Sequence, residues 1–404
     1  MDRKVYVTGM GMITSLGYDL NTTWENLKAG KSGIDTIKRI DPSALETQIA
    51  AEVGSGFEDY LTTKVSKRQR KQMTTATRMS MAASFQAIDQ SRIDFTTCDS
   101  NRVGVIMGVI NTSDNTEIED LTNHHIVKGM PSAPASWLSI INGLKGPSFN
   151  ISTACASSAY AIATACQFIK SGICDIVIAG GTGSCVTSVQ INGFNQIMAM
   201  SVNNDDPAGA CRPFSKSRDG FILGEGAGTL ILESEESAKA RNAHIYAELS
   251  GFAMTEEAVD ITAPEADGKG MARCMSLALE NSGYTPDQVD YINAHGTSTY
   301  LNDKYETMAI ENVFGDKARK IPVSSSKSMI GHTLGACGAI ESIITIMTIN
   351  TGIITPTINY NDPDPELQLD YVPNVCRNSE VNVAITNSFG FGGHDATLVF
   401  NKHI

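Results

Sequence analysis

A single cysteine stands where a polar, small-residue stretch turns into an apolar helical pattern: Asn150-Ile-Ser-Thr-Ala-Cys155-Ala-Ser-Ser-Ala-Tyr160. The helical pattern runs from Ala156 to about Ile169 and meets a stop signal at Ser171-Gly172. At such a start, unpaired backbone N–H groups and the helix dipole favour a thiolate over a thiol. A free cysteine titrates at about 8.5, so this placement is expected to make Cys155 a usable nucleophile at neutral pH. The competing reading is an inert buried thiol, which suits most of the other cysteines. Three further segments carry reactive side chains at strand-to-turn junctions. His295 lies in Asn293-Ala-His-Gly-Thr297-Ser-Thr299, after the run Val289-Asp-Tyr-Ile. Lys327 and His332 stand ahead of a second apolar helix. Asn387-Ser-Phe389-Gly-Phe391-Gly-Gly393-His394-Asp395 is a glycine-rich aromatic loop after the last strand. A lone histidine is by default a satisfied core or surface residue, and the chain has seven. Two histidines and a lysine at such junctions, beside a cysteine at another, fit a shared site better than chance.

The elements that must position these groups repeat. Phe149 to Cys155 reads as a strand leading through small residues into one buried helix. Ile321-Pro-Val-Ser-Ser-Ser-Lys327 reads as a second such strand, feeding Gly331-His332-Thr-Leu-Gly-Ala and the apolar helix Ala339–Ile349. Other expected strands are Val5–Gly9, Arg102–Gly108, Asp175–Gly181, Ile245–Phe252 and Val381–Thr386, with an Ala/Met-rich helix over Met73–Ile88 and a short one over Ser136–Leu144. The acidic stretch 111–121 is expected to be a loop or exposed helix. The order divides the chain into halves, 1–245 with the cysteine and 246–404 with the histidines and lysine. Two α/β halves are expected, central helices back to back and sheets outside them, with reactive groups converging at the strand ends.

Composition narrows the function. The chain has 404 residues, a net charge of −13 and 42% hydrophobic residues, which argues against generic binding to nucleic acid or an anionic membrane. Nine scattered cysteines without C-x-x-C pairs suggest neither a disulfide framework nor a zinc site, and no metal is expected. No apolar signal region or unbroken apolar span appears, so a cytoplasmic protein is expected. Gly9-Met-Gly11 after the first strand hints at a dinucleotide fingerprint, but Thr14 stands where its third glycine belongs, and nucleotide binding is not expected. Against the acidic background, Lys64, Lys67, Arg68, Arg70 and Lys71 form one basic cluster, either a solvated helix face or a dock for an acidic partner.

Seven segments in order resemble the β-ketoacyl-[acyl carrier protein] synthases of the elongating, Cys-His-His type. They are Val7-Thr-Gly-Met-Gly, Ser152-Thr-Ala-Cys-Ala-Ser, Arg212-Pro-Phe, Gly224-Glu-Gly-Ala-Gly, Asn293-Ala-His-Gly-Thr-Ser-Thr, Lys327-Ser-Met-Ile-Gly-His332 and Asn387-Ser-Phe-Gly-Phe-Gly-Gly. The resemblance implies a thiolase-like fold of five layers, α-β-α-β-α. It implies a decarboxylating Claisen condensation: Cys155 holds an acyl group, malonyl carrier protein loses carbon dioxide, and the carbanion attacks the acyl carbon. His295 and His332 would then hold the enolate oxygen from their Nε2 atoms. Backbone N–H groups of Cys155 and Phe391 would form the oxyanion hole, with Phe391 also a gate and Phe389 supporting it. Lys327 would supply charge near His332, held by Glu341, and Thr297 and Thr299 would bind the phosphopantetheine arm. No metal or organic cofactor is implied. Acyl carrier protein is the implied partner, docked by Lys67, Arg68 and Lys71, and the chain would pair with a copy of itself or with a chain-length-factor-like subunit.

Departures from the family pattern bear on specificity. The segment between Gly108 and Gly146 is shorter than usual, with Asn111, Ser132, Ala133, Pro134 and Trp137 where bulky apolar residues normally shape the acyl pocket and dimer contact. Asp260 and Gly183 replace a histidine and a glutamate, and His394-Asp395 replaces a Thr-Asn or His-Asn pair. These fit a diverged fatty-acid enzyme or a type II polyketide or polyene ketosynthase, with the pocket leaning toward the latter. A thiolase using Cys337 as a second cysteine lacks the expected glycine-rich motif, and Cys155 argues against a non-catalytic partner subunit.

Overall fold

Ten strands carry the architecture of the computed structural model, which describes residues 3–111 and 123–403. The first five are β1 (Val5–Thr14), β2 (Val103–Val109), β3 (Ser148–Ile151), β4 (Ile176–Gly183) and β5 (Gly226–Ser234). The second five are β6 (Ala247–Glu256), β7 (Tyr291–Asn293), β8 (Val323–Ser324), β9 (Val383–Gly390) and β10 (His394–Asn401). Across the sheet the order is β8-β7-β9-β10-β6-β1-β5-β4-β2-β3. Numbered within its own half, each set of five reads third, second, fourth, fifth, first. In both sets the second strand pairs parallel with its neighbours and the remaining pairs are antiparallel. The two sets meet along one edge, where Tyr6 and Val7 of β1 pair with Glu248 and Ala247 of β6.

The helices repeat too. α1 (Thr75–Ser91) follows the first strand, α2 (Ala133–Asn142) the second and α3 (Ser157–Lys170) the third. In the second half α4 (Lys269–Ser282), α5 (Tyr300–Phe314) and α6 (Cys337–Thr351) take the same places. α3 and α6 pack on each other and on strands of both halves, while α1 and α2 cover one outer face and α4 and α5 the other. The expected five-layer order, α-β-α-β-α, follows from these contacts. Three apolar clusters fill it: one around the two central helices, one beneath α1 and α2, and one beneath α4 and α5. Leu334–Thr351 is long and apolar enough to cross a bilayer, yet most of it is buried between the sheets. Close approach of the central pair needs Gly338, where a Cβ would lie 2.7 Å from the Ala159 nitrogen.

Several boundaries differ from expectation for identifiable reasons. The first strand does not break at Gly9 but runs on to Thr14. Its glycines serve packing rather than phosphate, since a Cβ on Gly9 or Gly11 would fall 2.3 Å from the Ala87 or 2.0 Å from the Ala83 carbonyl oxygen of α1. The strand expected over Ile321–Lys327 ends at Ser324, because Lys327–Ile330 coils into one helical turn that aims the lysine inward. The reading of 111–121 falls almost wholly outside the described residues.

Candidate active site

Cys155 follows Ala154, whose φ of 45° lies in the left-handed region that a side chain disfavours by about 1–2 kcal/mol. That kink separates the strand from α3 and leaves Cys155 two residues before the helix begins, at the wall of a cavity of about 560 Å³. His332 Nε2 lies 3.0 Å from its sulfur. His332 is fixed by backbone bonds on both sides, its N–H to the Ile222 carbonyl (2.7 Å) and its carbonyl from the Gly224 N–H (2.9 Å). The Phe221 ring meets its imidazole edge to face at 5.3 Å. His295 stands across from it with ring centroids 5.4 Å apart and planes at 82°.

Partners on the far side of each ring decide which nitrogen carries the proton. The Leu334 N–H donates to His332 Nδ1 at 3.3 Å. The Lys327 ammonium, which has protons only to give, lies 3.4 Å from His295 Nδ1. Both Nδ1 atoms therefore accept, and both Nε2 atoms bear hydrogen and point into the cavity. Burial first, then the Lys327 charge, holds both histidines well below their ordinary value of 6.5, so they are neutral donors. The same locking bears on metal binding. Cys155, His295 and His332 converge closely enough to hold an ion. Coordination at Nε2 would move the protons to Nδ1, against the Leu334 N–H and the ammonium, so the donor set does not suit a metal.

Lys327 is wholly buried, bonded to the Glu341 carboxylate and, at 2.6 Å, to the His295 carbonyl. Burial works against its charge, but Glu341, with smaller help from Cys337 and Glu306, outweighs it and the ammonium stays protonated. Burial pushes the Glu341 carboxyl up to about 7 against the pull of Lys327.

The sulfur corrects one expectation. The helix start was expected to yield a thiolate at neutral pH. Burial instead raises the Cys155 thiol to about 11, although Lys327 and the backbone N–H groups of Phe391 and Cys155 all pull it down. Cys155 is 8% exposed and packs with Cys185, Cys337, Phe221 and Leu334, so desolvation wins. At rest Cys155 is a thiol with two backbone N–H groups already bonding toward it.

The other expected residues divide into those the cavity gathers and those it does not. Thr297, Thr299, Phe389 and Phe391 line it, and the two threonine hydroxyls bond each other at 2.8 Å. Glu341 stands behind Lys327. Lys67, Arg68 and Lys71 are exposed on and beside the one-turn helix Lys67–Arg70 and line no part of this cavity. Lys64 is paired with Asp89 and Arg70 with the Val65 carbonyl, which leaves those three as the cluster's available cations. Asn111, Ser132, Ala133, Pro134 and Trp137 do not line the cavity; Ile110, Phe194 and Leu334 are among its apolar lining. Cys337 is turned away, its thiol donating to the Cys155 carbonyl at 3.0 Å.

Glu306 went unnoticed in the sequence. It accepts from the N–H groups of His295 and Gly296, both at 2.8 Å, and from Asn387 Nδ2 at 3.2 Å, so it fixes the histidine loop to the aromatic loop. Asking what satisfies the buried backbone of Ala294–Gly296 would have pointed to an acid on the next helix.

Comparison with known proteins supplies the family. The "Beta-ketoacyl synthase, N-terminal domain" matches residues 2–238 and the "Beta-ketoacyl synthase, C-terminal domain" residues 246–361. The chain belongs to the β-ketoacyl synthase family. It is 42% identical to a 3-oxoacyl-[acyl-carrier-protein] synthase 2 of Synechocystis sp., over 99% of this chain and 98% of that protein. It resembles one chain in a solved structure of a type II PKS acyl-carrier protein in complex with its ketosynthase bound to the hexaketide (32% identity, TM-score 0.90, 100% of both chains). It also resembles the ishigamide ketosynthase/chain length factor (30% identity, TM-score 0.91, 100% of both chains). For a β-ketoacyl synthase, the cavity's polar wall of Thr297 and Thr299 and its apolar wall of Phe194 and Leu334 meet at the cysteine.

Proposed function

We propose that this β-ketoacyl synthase condenses an acyl group held on Cys155 with malonyl-[acyl carrier protein], releasing carbon dioxide and 3-oxoacyl-[acyl carrier protein]. One observation carries the reading: two neutral imidazoles, each obliged to donate from Nε2, face one buried cysteine, with His332 3.0 Å from the sulfur.

In the first stage the Cys155 sulfur bonds to the acyl carbon of a phosphopantetheine thioester, and the arm's sulfur leaves with the proton. A thiol held near 11 gives up its proton only as its sulfur bonds to the acyl carbon, the proton ending on the departing sulfur, with the Cys155 and Phe391 N–H groups bearing the charge on the acyl oxygen. In the second stage the malonyl C–C bond breaks, carbon dioxide leaves, and the electron pair is held as an enolate. His295 and His332 donate to its oxygen. The enolate carbon bonds to the acyl carbon, the Cys155 thiolate is expelled, and it takes up a proton from solvent. Lys327 helps keep both imidazoles neutral and orients His295, the Leu334 N–H orienting His332, with Glu341 balancing the lysine's buried charge. No step in this sequence calls on a metal or organic cofactor.

Carrier-protein partnership, and pairing with a second copy or a chain-length-factor-like subunit, come from the relatives' assemblies and suit the exposed apolar Ile126, Ile140 and Val189. Residues 1–245 would contribute the nucleophile and 246–404 the donors. A cytoplasmic setting suits nine free cysteines, one of them the nucleophile. The chain-building pathway is fatty-acid or type II polyketide/polyene elongation. The test is incubation with acyl- and malonyl-carrier protein followed by mass spectrometry. The expected result is an acyl adduct on Cys155 and a β-ketoacyl product; absence of both overturns the reading. The acyl group retained on Cys155 in protein from its own cells would name the pathway.

A further inference from the structure

The substrate cavity has an acid wall that the condensation does not use. Asp395 is the second residue of β10, one position after His394 and the glycines Gly392 and Gly393, whose φ values of 85° and 78° lie in the left-handed region. It lines the cavity, is 1% exposed, and its Oδ2 is buried with no hydrogen-bond partner. Glu257 lines the same stretch of wall. Its Oε2 accepts from the Glu265 N–H at 2.8 Å, while its Oε1 is buried and unpartnered. The neighbouring pair is already satisfied, His394 Nδ1 lying 3.0 Å from Glu256. Two acids that line a substrate cavity, each with a buried oxygen that bonds nothing, are unusual in a folded protein and mark a place where a ligand can complete the structure.

The surroundings decide what kind of ligand. Burial first, then the charges of Glu257 and Glu256, push the Asp395 carboxyl up to about 9, with Glu265 adding to the rise and Arg273 opposing it. Burial likewise raises Glu257. Around neutral pH Asp395 is therefore a carboxylic acid with one O–H to give, rather than an anion seeking a cation. The nearby thiol of Cys274 and phenol of Tyr160 are themselves raised and stay neutral in that range. An asparagine at this position would supply a donor at every pH; an aspartic acid supplies one only while protonated.

We propose that Asp395, with Glu257 beside it, anchors the bound thioester by donating its carboxyl O–H to a carbonyl oxygen of the substrate, while Glu257 accepts from an adjoining N–H or O–H. This rests on the ketosynthase reading. Two sources carry such a carbonyl: the amides of the phosphopantetheine arm, and the keto oxygens of a growing chain that has not been fully reduced. Neither Asp395 nor Glu257 bonds Cys155, His295 or His332, so the anchor acts on binding and alignment and not on the bonds that form and break.

The experiment compares wild type, Asp395→Asn and Asp395→Leu. The first readout is calorimetric binding of an unreactive acyl-pantetheine analogue, with an amide in place of the thioester, which needs no turnover. Asp395→Leu should weaken binding about tenfold or more, and raise KM for carrier-bound substrate by a similar factor while kcat changes less than about threefold. Wild-type kcat/KM should fall as pH rises through about 9, whereas Asp395→Asn, whose amide cannot ionise, should not show that limb. Simple alkyl thioesters without amides, and chains with and without a 3-keto oxygen, separate the two sources. A Leu effect that vanishes with the amide-free thioester assigns the arm, and one that appears only with the keto chain assigns the chain. Equal binding by wild type and Asp395→Leu for every analogue overturns the proposal. So does an unchanged alkaline limb in Asp395→Asn, or a uniform loss of kcat with lowered Tm and unaltered KM. Absence of acylation in wild type, with binding still dependent on Asp395, would sink the enzymatic reading and leave the anchor standing.

Discussion

The entrances to the two central helices are built alike and equipped differently. Each helix is preceded, three residues before its first turn, by a non-glycine residue in the left-handed region: Ala154 (φ 45°) before Ser157, and Leu334 (φ 50°) before Cys337. Directly after that residue the first half has Cys155 and the second has Gly335. A Cβ on Gly335 would lie 3.0 Å from the Thr182 carbonyl oxygen, so the second entrance leaves little room for a side chain at the position matching Cys155. Two residues before the kink the second half has His332 and the first has Ser152. The duplicated backbone thus offers the same two positions twice, and each half fills one. In the proposed reaction the first entrance would present the group that forms and breaks a bond, and the second groups that only donate hydrogen bonds.

The sharpest way to break this division is to empty the first entrance. Cys155→Ala should cut condensation by at least about 10³-fold, since no other thiol lines the cavity. The same variant should still release carbon dioxide from malonyl carrier protein, because the second entrance is intact. Labelled malonyl substrate reads both at once, and joint loss of the two activities would mean that the halves are not separable. The reverse change, His295→Ala, removes one of two donors at the developing enolate. It should lower kcat by about 10²–10³-fold, with Cys155 acylation by an acyl donor much less affected.

Removing the buried partner tests the second entrance at the level of stability. Glu341→Ala leaves the Lys327 ammonium buried with no counter-charge and should cost about 3–5 kcal/mol, seen as a fall in Tm. Glu341→Gln should recover part of it. The histidines set a pH dependence whose sign follows from their depressed values. Below about 6.5 the unfolded chain binds protons at His295 and His332 that the folded site refuses, so stability falls as pH drops through that range. Buried Glu306 and Glu341, both raised to about 7, act oppositely by favouring the folded form as pH falls from 7 toward 4.5. In a His295→Gln/His332→Gln variant only the carboxyl contribution remains, and Tm between pH 7 and 5 should decline less, or rise, relative to wild type.

The amino-acid pattern revealed the groups themselves but not the forces on them. Cys155, His295, Lys327 and His332 could be read because each sits at a junction where apolar periodicity changes. The duplicated strand order could be anticipated because both halves spell strand, small-residue turn and buried helix. The Cys155 titration could not, because it depends on Cys185, Phe221 and Cys337, distant in the chain and packed around the sulfur. The part played by Glu306 was invisible for a similar reason: eleven residues separate it from His295, and only the bend between β7 and α5 brings its carboxylate to that backbone. Local helix-start chemistry suggested a thiolate, and global burial overruled it.

The smallest expected effect concerns a surface that neither entrance contains. Lys67, Arg68 and Lys71 are exposed, lie outside the cavity, and project from a turn capped by Ser66 and Gln69. Charges this accessible are screened at physiological salt, where the Debye length is about 8 Å, and each contributes modestly. Their worth lies in attracting an acidic partner, so reversal should act on encounter more than on chemistry. The Arg68→Glu/Lys71→Glu variant should weaken carrier-protein affinity by up to about tenfold at low salt. It should flatten the salt dependence of that affinity and leave kcat at saturating carrier protein near the wild-type value. Turnover of a free acyl-pantetheine thioester, which has no acidic protein attached, should be unchanged. If reversal impairs free thioester as much as carrier-bound substrate, the cations belong to the fold and not to the dock. If it impairs neither, the carrier protein meets a different face of the molecule, and the contrast between the two entrances stands without them.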